Sequence, residues 1–183
     1  MADVGLGAEN EVLTVQSGQR VWAPSAAVGG AAGVATMPFG QVTSRPLYSG
    51  AAPGTGWAVA VVPEQNFQIS ILLCSITQLG GGGSLQMGVY DYGTLNFIAL
   101  TAAAPISLGV NVGAIAPISL NAGQAYYFAI WSNSNGSRMD AGNYAGGAAV
   151  QRIEMNNVGF LPANLGPYIG NQRTIVPYIG AVP

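Results

Sequence analysis

The sequence predicts an all-β protein, and three observations support that prediction. The 27 glycines and 11 prolines supply about a fifth of the 183 residues, so turn-forming residues recur at short intervals. Short apolar runs lie between them, and several of these runs alternate with polar residues at the period of a β-strand. Nowhere do apolar residues keep the spacing of three and four that an amphipathic helix requires. Because half of the residues are apolar, the glycines and prolines indicate frequent turns rather than disorder.

The first 24 residues are predicted to form an arm followed by a short hairpin. Residues 1–10 are small and polar, which is typical of a docking arm. Val12–Val15 and Arg20–Trp22 favour strands, and Ser17-Gly18 between them is a turn signal. A two-stranded hairpin is marginally stable alone, so we expect this one to pack against another surface.

Residues 25–40 are rich in alanine and glycine and are predicted to be a linker, and residues 41–183 a β-sandwich. Phe67–Leu73 alternates apolar and polar residues most clearly, and Leu85–Val89 repeats the pattern after a run of four glycines. Turn signals every 8–12 residues or so favour a jelly-roll-like sandwich.

The strand predicted at Tyr126–Trp131 carries bulky side chains on both faces. Such a strand belongs in the middle of a sheet that is covered on both sides. The residues that follow, Ser132–Gly147, are predicted to be the longest polar loop, because glycine, serine and asparagine dominate them.

The charge content excludes two classes of partner. Only 7% of the residues are charged; the five bases are all arginines, and the chain has no lysine and no histidine. A nucleic-acid binder needs clustered cations, and so does a polybasic segment that binds a membrane surface. Glycine, proline and polar residues interrupt every long uncharged stretch, so we predict no membrane insertion. The first residues show no basic and apolar leader, so we predict no secretory signal.

The sequence predicts no catalytic site, no cofactor and no metal. Without histidine, the chain can form neither a Ser-His-Asp nor a Cys-His catalytic arrangement. The single cysteine, Cys74, is predicted to be a buried free thiol. Beyond the N-terminal residues the carboxylates are Glu64, Asp91, Asp140 and Glu154, and no spacing among them requires a pair. We therefore expect a protein that is not an enzyme.

The loop after Trp131 is the candidate ligand-binding segment. It combines amides and hydroxyls with aromatic rings, a mixture that suits sugars, and an arginine that pairs with carboxylates. The alternative is an ordinary solvated connection. The candidate residues are Trp131, Asn133, Asn135, Arg138, Asn143 and Tyr144.

Two segments resemble parts of tailed-bacteriophage proteins. The stretch Leu120-Asn-Ala-Gly-Gln-Ala-Tyr-Tyr-Phe-Ala-Ile-Trp131 resembles the β-sandwich head domains of phage fibres and spikes. Glu11–Pro24 is similar to the short hairpins that join fibre shafts to such heads. The resemblance implies a homotrimer on the virion surface, attached to other virion proteins through its N-terminal arm.

On this resemblance, the expected function is that of a short tail fibre or fibre head that recognises a host-surface glycan. The alternative is a capsid or baseplate decoration protein that stabilises the particle without binding the host. Closed cyclic symmetry is a common way to bury the surface of a marginal hairpin. We therefore expect four hairpin residues at the trimer interface: Val12, Leu13, Val15 and Trp22.

Overall fold

The computed structural model describes residues 11–16, 19–24, 34–36, 43–46, 54–143, 152–169 and 175–183. Within these ranges the chain forms fifteen β-strands and one 3-10 helix, Gly166–Tyr168. The strands, in chain order, are β1 (Glu11–Gln16), β2 (Gln19–Pro24), β3 (Val34–Ala35), β4 (Thr43–Pro46), β5 (Thr55–Val61), β6 (Phe67–Gln78), β7 (Ser84–Asp91), β8 (Phe97–Leu100), β9 (Ala104–Pro105), β10 (Gly109–Leu120), β11 (Tyr126–Ser132), β12 (Arg138–Asn143), β13 (Arg152–Asn156), β14 (Ile175–Pro177) and β15 (Ile179–Val182).

The chain divides into two compact units, residues 1–32 and residues 33–183. The first contains the predicted hairpin, in which β1 and β2 pair antiparallel with Leu13 opposite Trp22. In the same register Val12 lies opposite Ala23, and Val15 lies opposite Arg20. The predicted pairing of these two segments is therefore confirmed. The arm at residues 1–10 and the Ser17-Gly18 turn lie outside the described residues.

The second unit is an all-β sandwich of two antiparallel sheets, as the sequence predicts. The six-stranded sheet runs β13-β5-β11-β7-β8, with β9 pairing to the start of β7. The seven-stranded sheet runs β14-β12-β6-β15-β3. In addition, β10 pairs with β6 and β4 pairs with β12. The finer prediction of jelly-roll-like connections stays a prediction.

The main core lies between the two sheets and follows the alternation of the strands. On β6 the side chains of Leu72, Cys74 and Ile76 point inward and are buried, whereas the residues between them are half-buried. Phe128 and Ile130 of β11 meet them from the other sheet. The period-two pattern that predicts these strands therefore also identifies the residues of this core.

A second core covers the outer face of the six-stranded sheet. Every residue of β11 is buried, because Tyr127, Ala129 and Trp131 pack on the side away from the main core. The segment that follows β13 covers them with Val158, Leu161 and Leu165. The prediction that β11 is central and covered on both faces is confirmed by its pairing with β5 and β7.

Two segments differ from their predicted conformation. Val34 and Ala35, which fall within the predicted linker, form β3 and pair with Ala181 and Gly180 of β15. Part of the predicted polar loop, Arg138–Asn143, is the strand β12. The physical reason is that the inward side chains of β12, Met139 and Ala141, are buried in the main core.

Candidate functional site

The sequence-predicted site lies at one end of the sandwich, where two connections cross from sheet to sheet. Leu79–Gly83 joins β6 of the seven-stranded sheet to β7 of the six-stranded sheet. Asn133–Ser137 joins β11 of the six-stranded sheet to β12 of the seven-stranded sheet. Because the two connections run side by side, we call them the end-loop pair.

Backbone hydrogen bonds hold the end-loop pair together. The Gly81 N–H donates to the carbonyl of Asn135 over 2.9 Å. The Ser84 N–H donates to Oδ1 of Asn133 over 2.7 Å, and the Asn133 N–H donates to the carbonyl of Ser84 over 3.3 Å. These bonds join the two connections at both the backbone and the side-chain level.

A buried serine network fixes the interior of the same loops. Oγ of Ser134 and Oγ of Ser137 lie 2.6 Å apart, and the Gly80 N–H donates to Oγ of Ser137 over 2.9 Å. The Ser134 N–H donates to Oγ of Ser132. All three serines are buried, and an unpaired buried hydroxyl is costly, so this network stabilises one loop conformation.

Glycine permits the close approach of the two loops. A Cβ on Gly80 would overlap the carbonyl oxygen of Asn135 and the backbone of Gly136, which a side chain cannot displace without moving the loop. Gly136 has a φ of 83°, a left-handed conformation that glycine adopts without steric cost. The end-loop pair is therefore a tightly packed structure despite its polar composition.

Exposed groups remain on the outside of this structure. Asn133 and Asn135 are exposed, as are the backbones of Gly81 and Gly82. Leu79 beside them has 45% of its surface exposed. Because Oδ1 of Asn133 accepts the Ser84 N–H, Asn133 also positions the loop.

The other predicted ligand residues are Arg138, next to the end-loop pair, and Asn143 and Tyr144 further along the chain. Arg138 is half-buried at the start of β12, opposite Gln78 of β6 and Pro46 of β4. Asn143 is the last residue of β12, five positions further along that strand, and its side chain lies outside the described part of the structure. Tyr144 lies outside the described residues altogether. Of the candidate residues, Asn133 and Asn135 are therefore the exposed ones on the end-loop pair, and Arg138 adjoins them at its base.

Trp131 belongs to the second core. Its indole is 1% exposed, Nε1 donates to the carbonyl of Val158 over 2.6 Å, and Phe160 packs at a tilt with the ring centroids 5.1 Å apart. No face of the ring is open to a ligand. The expectation that Trp131 offers an aromatic surface to a sugar is corrected accordingly, and its role is to anchor the segment after β13.

Sequence reasoning missed a set of exposed aromatic residues around the second core, on the outer face of the six-stranded sheet. Tyr92 stacks on the buried Tyr127 with ring centroids 5.1 Å apart, and Phe97 lies opposite Tyr90 in the register of β7 and β8. Tyr92, Phe97 and Phe160 remain more than a third exposed. Strand pairing places Phe97, and ring contacts with buried aromatics place Tyr92 and Phe160, so the linear sequence carries no direct signal for the set.

The described carboxylates do not form a hydrolytic pair within the six-stranded sheet. Asp91 ends β7, whereas Glu154 lies on β13, and β5 and β11 separate the two strands. Three interstrand spacings amount to about 14 Å, beyond the separation of roughly 5–10 Å used across a glycosidic bond. Hydrogen bonds from the backbone of Thr94 lower the pKa of Asp91, so its carboxylate caps the β7–β8 turn in the ionised form.

The single thiol is buried in the main core. Burial raises the pKa of Cys74 to about 12, which keeps the thiol protonated and unreactive at neutral pH. In the described ranges, no group of three or more histidine, cysteine, aspartate or glutamate residues is arranged to hold a metal ion. The same ranges contain no helix with the length and apolar character needed to cross a membrane.

Comparison with models of protein families finds no match, and comparison with curated proteins finds none either.

Proposed function

We propose that the chain is a structural protein of a tailed-bacteriophage particle, a short tail fibre or fibre head that recognises the host surface. The observation that carries the proposal is the end-loop pair, a rigid polar surface at the end of an all-β sandwich. A loop that is already ordered loses less conformational freedom on binding than a flexible one. Amide groups at Asn133 and Asn135 offer hydrogen bonds to the hydroxyls of a glycan.

The proposed organisation separates attachment from recognition. The hairpin forms a unit of its own, distinct from the sandwich that carries the end-loop pair. We propose that the hairpin, with Val12, Leu13, Val15 and Trp22, assembles three copies and that the N-terminal arm binds other virion proteins. Three linked copies would raise a weak single-site affinity by avidity. Light scattering tests the assembly: the proposal requires three copies of the 18.6 kDa chain, or a multiple of three where trimers associate further.

A steric block tests recognition. Gly82 has no atom within 4 Å of the position that a Cβ would take, so Gly82→Arg adds a bulky side chain to the end-loop pair without a clash. Gly159 has equally open surroundings on the segment that covers the second core, so Gly159→Arg is a control of the same charge and size.

The proposal predicts that Gly82→Arg weakens binding of the labelled protein to host cells at least about tenfold, equivalent to about 1.4 kcal/mol. Gly159→Arg leaves binding unchanged. Equal binding by both variants and the unmodified protein would place recognition outside the end-loop pair. Failure of the unmodified trimer to bind host cells would reject the fibre-head function.

The second candidate function is a decoration protein that stabilises a capsid or baseplate. One observation favours it: Leu108, Val110 and Val112 are each more than 60% exposed beside or on β10, and apolar surface of this kind suits contacts between virion subunits. Deleting residues 1–24 would abolish attachment to the particle under either function. Only the fibre head would still bind host cells after that deletion, with the weaker affinity of sites that no longer have the avidity of the trimer.

A further inference from the structure

The edge of the seven-stranded sheet at β10 carries an inference that is independent of host recognition. β10 is twelve residues long and, among the described residues, pairs only with β6. The backbone groups on the other edge of such a strand are free to pair with another strand. An edge of this length is a potential template for association.

The two halves of β10 differ in how the edge is protected. Pro117 and a register shift between Ala114 and Ile118 interrupt the second half, and both features discourage further strand pairing. Gly109–Ala114 instead pairs in regular register with β6, from Ile76 to Ile71. Val110–Ala114 is therefore a regular five-residue edge, preceded by Gly109, whose φ of 89° lies in the left-handed region.

Charged residues, which commonly protect an edge, are absent from this region. The sequence has no charged residue from Tyr92 to Ser137. Val110 and Val112 point outward, each with 61% of its surface exposed, whereas Asn111 between them is buried. Asn111 bonds through Nδ2 to the Ser107 carbonyl over 2.7 Å and accepts the Ser107 N–H over 2.9 Å, which fixes the start of the strand.

The sequence of the edge suits pairing with a second copy of the same strand. Gly109-Val110-Asn111-Val112-Gly113 reads the same in both directions. If two copies pair antiparallel about Asn111, Val110 of each lies opposite Val112 of the other, on the same face of the combined sheet. β-branched pairs of this kind stabilise antiparallel sheets, and a twofold interface uses one patch twice.

We propose that the first half of β10 pairs antiparallel with the same strand of a second copy, joining two seven-stranded sheets across a twofold axis. Because this contact is twofold, it is separate from the proposed trimer contact of the hairpin. The β10 contact alone gives two copies and the hairpin contact alone gives three, and both together give six when the twofold and threefold axes intersect.

The variant that tests the contact is Val112→Lys, which places a charge at the exposed edge and, in the pair, opposite Val110 of the other copy. Val62→Lys is the matched control, since Val62 is 56% exposed just beyond β5. Both sites are exposed, so both variants are expected to fold, and circular dichroism confirms that they do.

Mass by light scattering at micromolar concentration gives the result. The inference predicts six or two copies for the unmodified protein and for Val62→Lys, and half that number for Val112→Lys. Three copies for the unmodified protein would overturn the β10 contact and support the trimer. Two copies would support the β10 contact and overturn the trimer, and a single copy would overturn both.

Hydrogen exchange distinguishes a second copy from another occupant of the edge. The inference predicts that half of the Gly109–Ala114 amides, those facing away from β6, exchange slowly in the unmodified protein. They exchange quickly in Val112→Lys. Slow exchange in a protein that is a single copy would show that another segment of the same chain covers the edge, and would overturn the inference.

Discussion

Replacing Trp131 tests whether the segment after β13 is part of the folded core or merely rests on it. The indole is buried among Tyr127, Met155 and Val158, and its N–H bonds to the Val158 carbonyl over 2.6 Å. It also lies against Gly54, where a Cβ would come within 2.6 Å of Nε1. The Trp131 side chain therefore links β11 to the start of β5 at Gly54 and to the segment after β13 at Val158.

The magnitude follows from these contacts. Trp131→Ala removes a fully buried aromatic side chain, a change that typically costs about 3–5 kcal/mol. Trp131→Phe retains a ring but leaves the Val158 carbonyl without its donor, which costs about 1–3 kcal/mol. Phe160→Ala removes the ring that packs against the indole, and because Phe160 is 61% exposed we expect about 1 kcal/mol or less.

Urea denaturation followed by far-ultraviolet circular dichroism measures the change in the free energy of unfolding for each of the three variants. The comparison requires that the slope of this free energy with urea concentration is the same in all of them. The expected order of destabilisation is Trp131→Ala, then Trp131→Phe, then Phe160→Ala. A loss below about 1 kcal/mol for Trp131→Ala would refute the reasoning, because it would approach the change of about 0.5 kcal/mol that substitutions at exposed sites already cause. Equal losses for Trp131→Ala and Phe160→Ala would refute it as well.

Three further predictions concern the end-loop pair and the buried titratable groups. Gly80→Ala should destabilise the protein by about 1–3 kcal/mol in thermal unfolding, because the new Cβ overlaps the Asn135 carbonyl. Gly82→Ala has open space around its Cβ, so it should change the free energy of unfolding by no more than about 0.5 kcal/mol. Equal destabilisation by the two variants would contradict the close packing of the loops. Cys74 should not react with a thiol reagent at pH 8 until denaturant is added, and immediate labelling of the native protein would contradict its burial. Burial raises the pKa of Cys74 from 9.0 and that of Tyr127 from 10.0, each to about 12. Because the unfolded chain loses these protons at a lower pH than the folded protein, the free energy of unfolding should fall as the pH rises from 9 to 12. A free energy of unfolding that stays constant in a pH series of urea titrations would contradict this.

The sequence predicts most strands of the sandwich because alternation and turn residues are local signals. Phe67–Leu73 and Leu85–Val89 lie within β6 and β7, and the bulk on both faces of Tyr126–Trp131 predicts the central position of β11. Segment β12 was missed because glycine, asparagine and serine dominate its surroundings. The alternation of Arg138, Met139, Asp140 and Ala141, with the two small or apolar side chains buried, is the signal that could have identified it.

The sequence predicts that the candidate site lies at one end of the sandwich, but it does not predict which residues form its surface. The strand that ends at Ser132 does deliver the following loop to one end of the sandwich. The contact with the Gly80–Gly83 connection depends on two loops more than 45 residues apart, and no local pattern encodes it. The burial of Trp131 depends on Val158 and Leu161, which lie in a segment without any regular period.

Electron microscopy of the phage particle, with antibody and gold directed at this chain, tests the central claim most directly. The account predicts gold at the tail, at the end that meets the host, and its loss when residues 1–24 are deleted. Gold distributed over the capsid would contradict the fibre-head function and favour the decoration protein. Particles without any gold would contradict both.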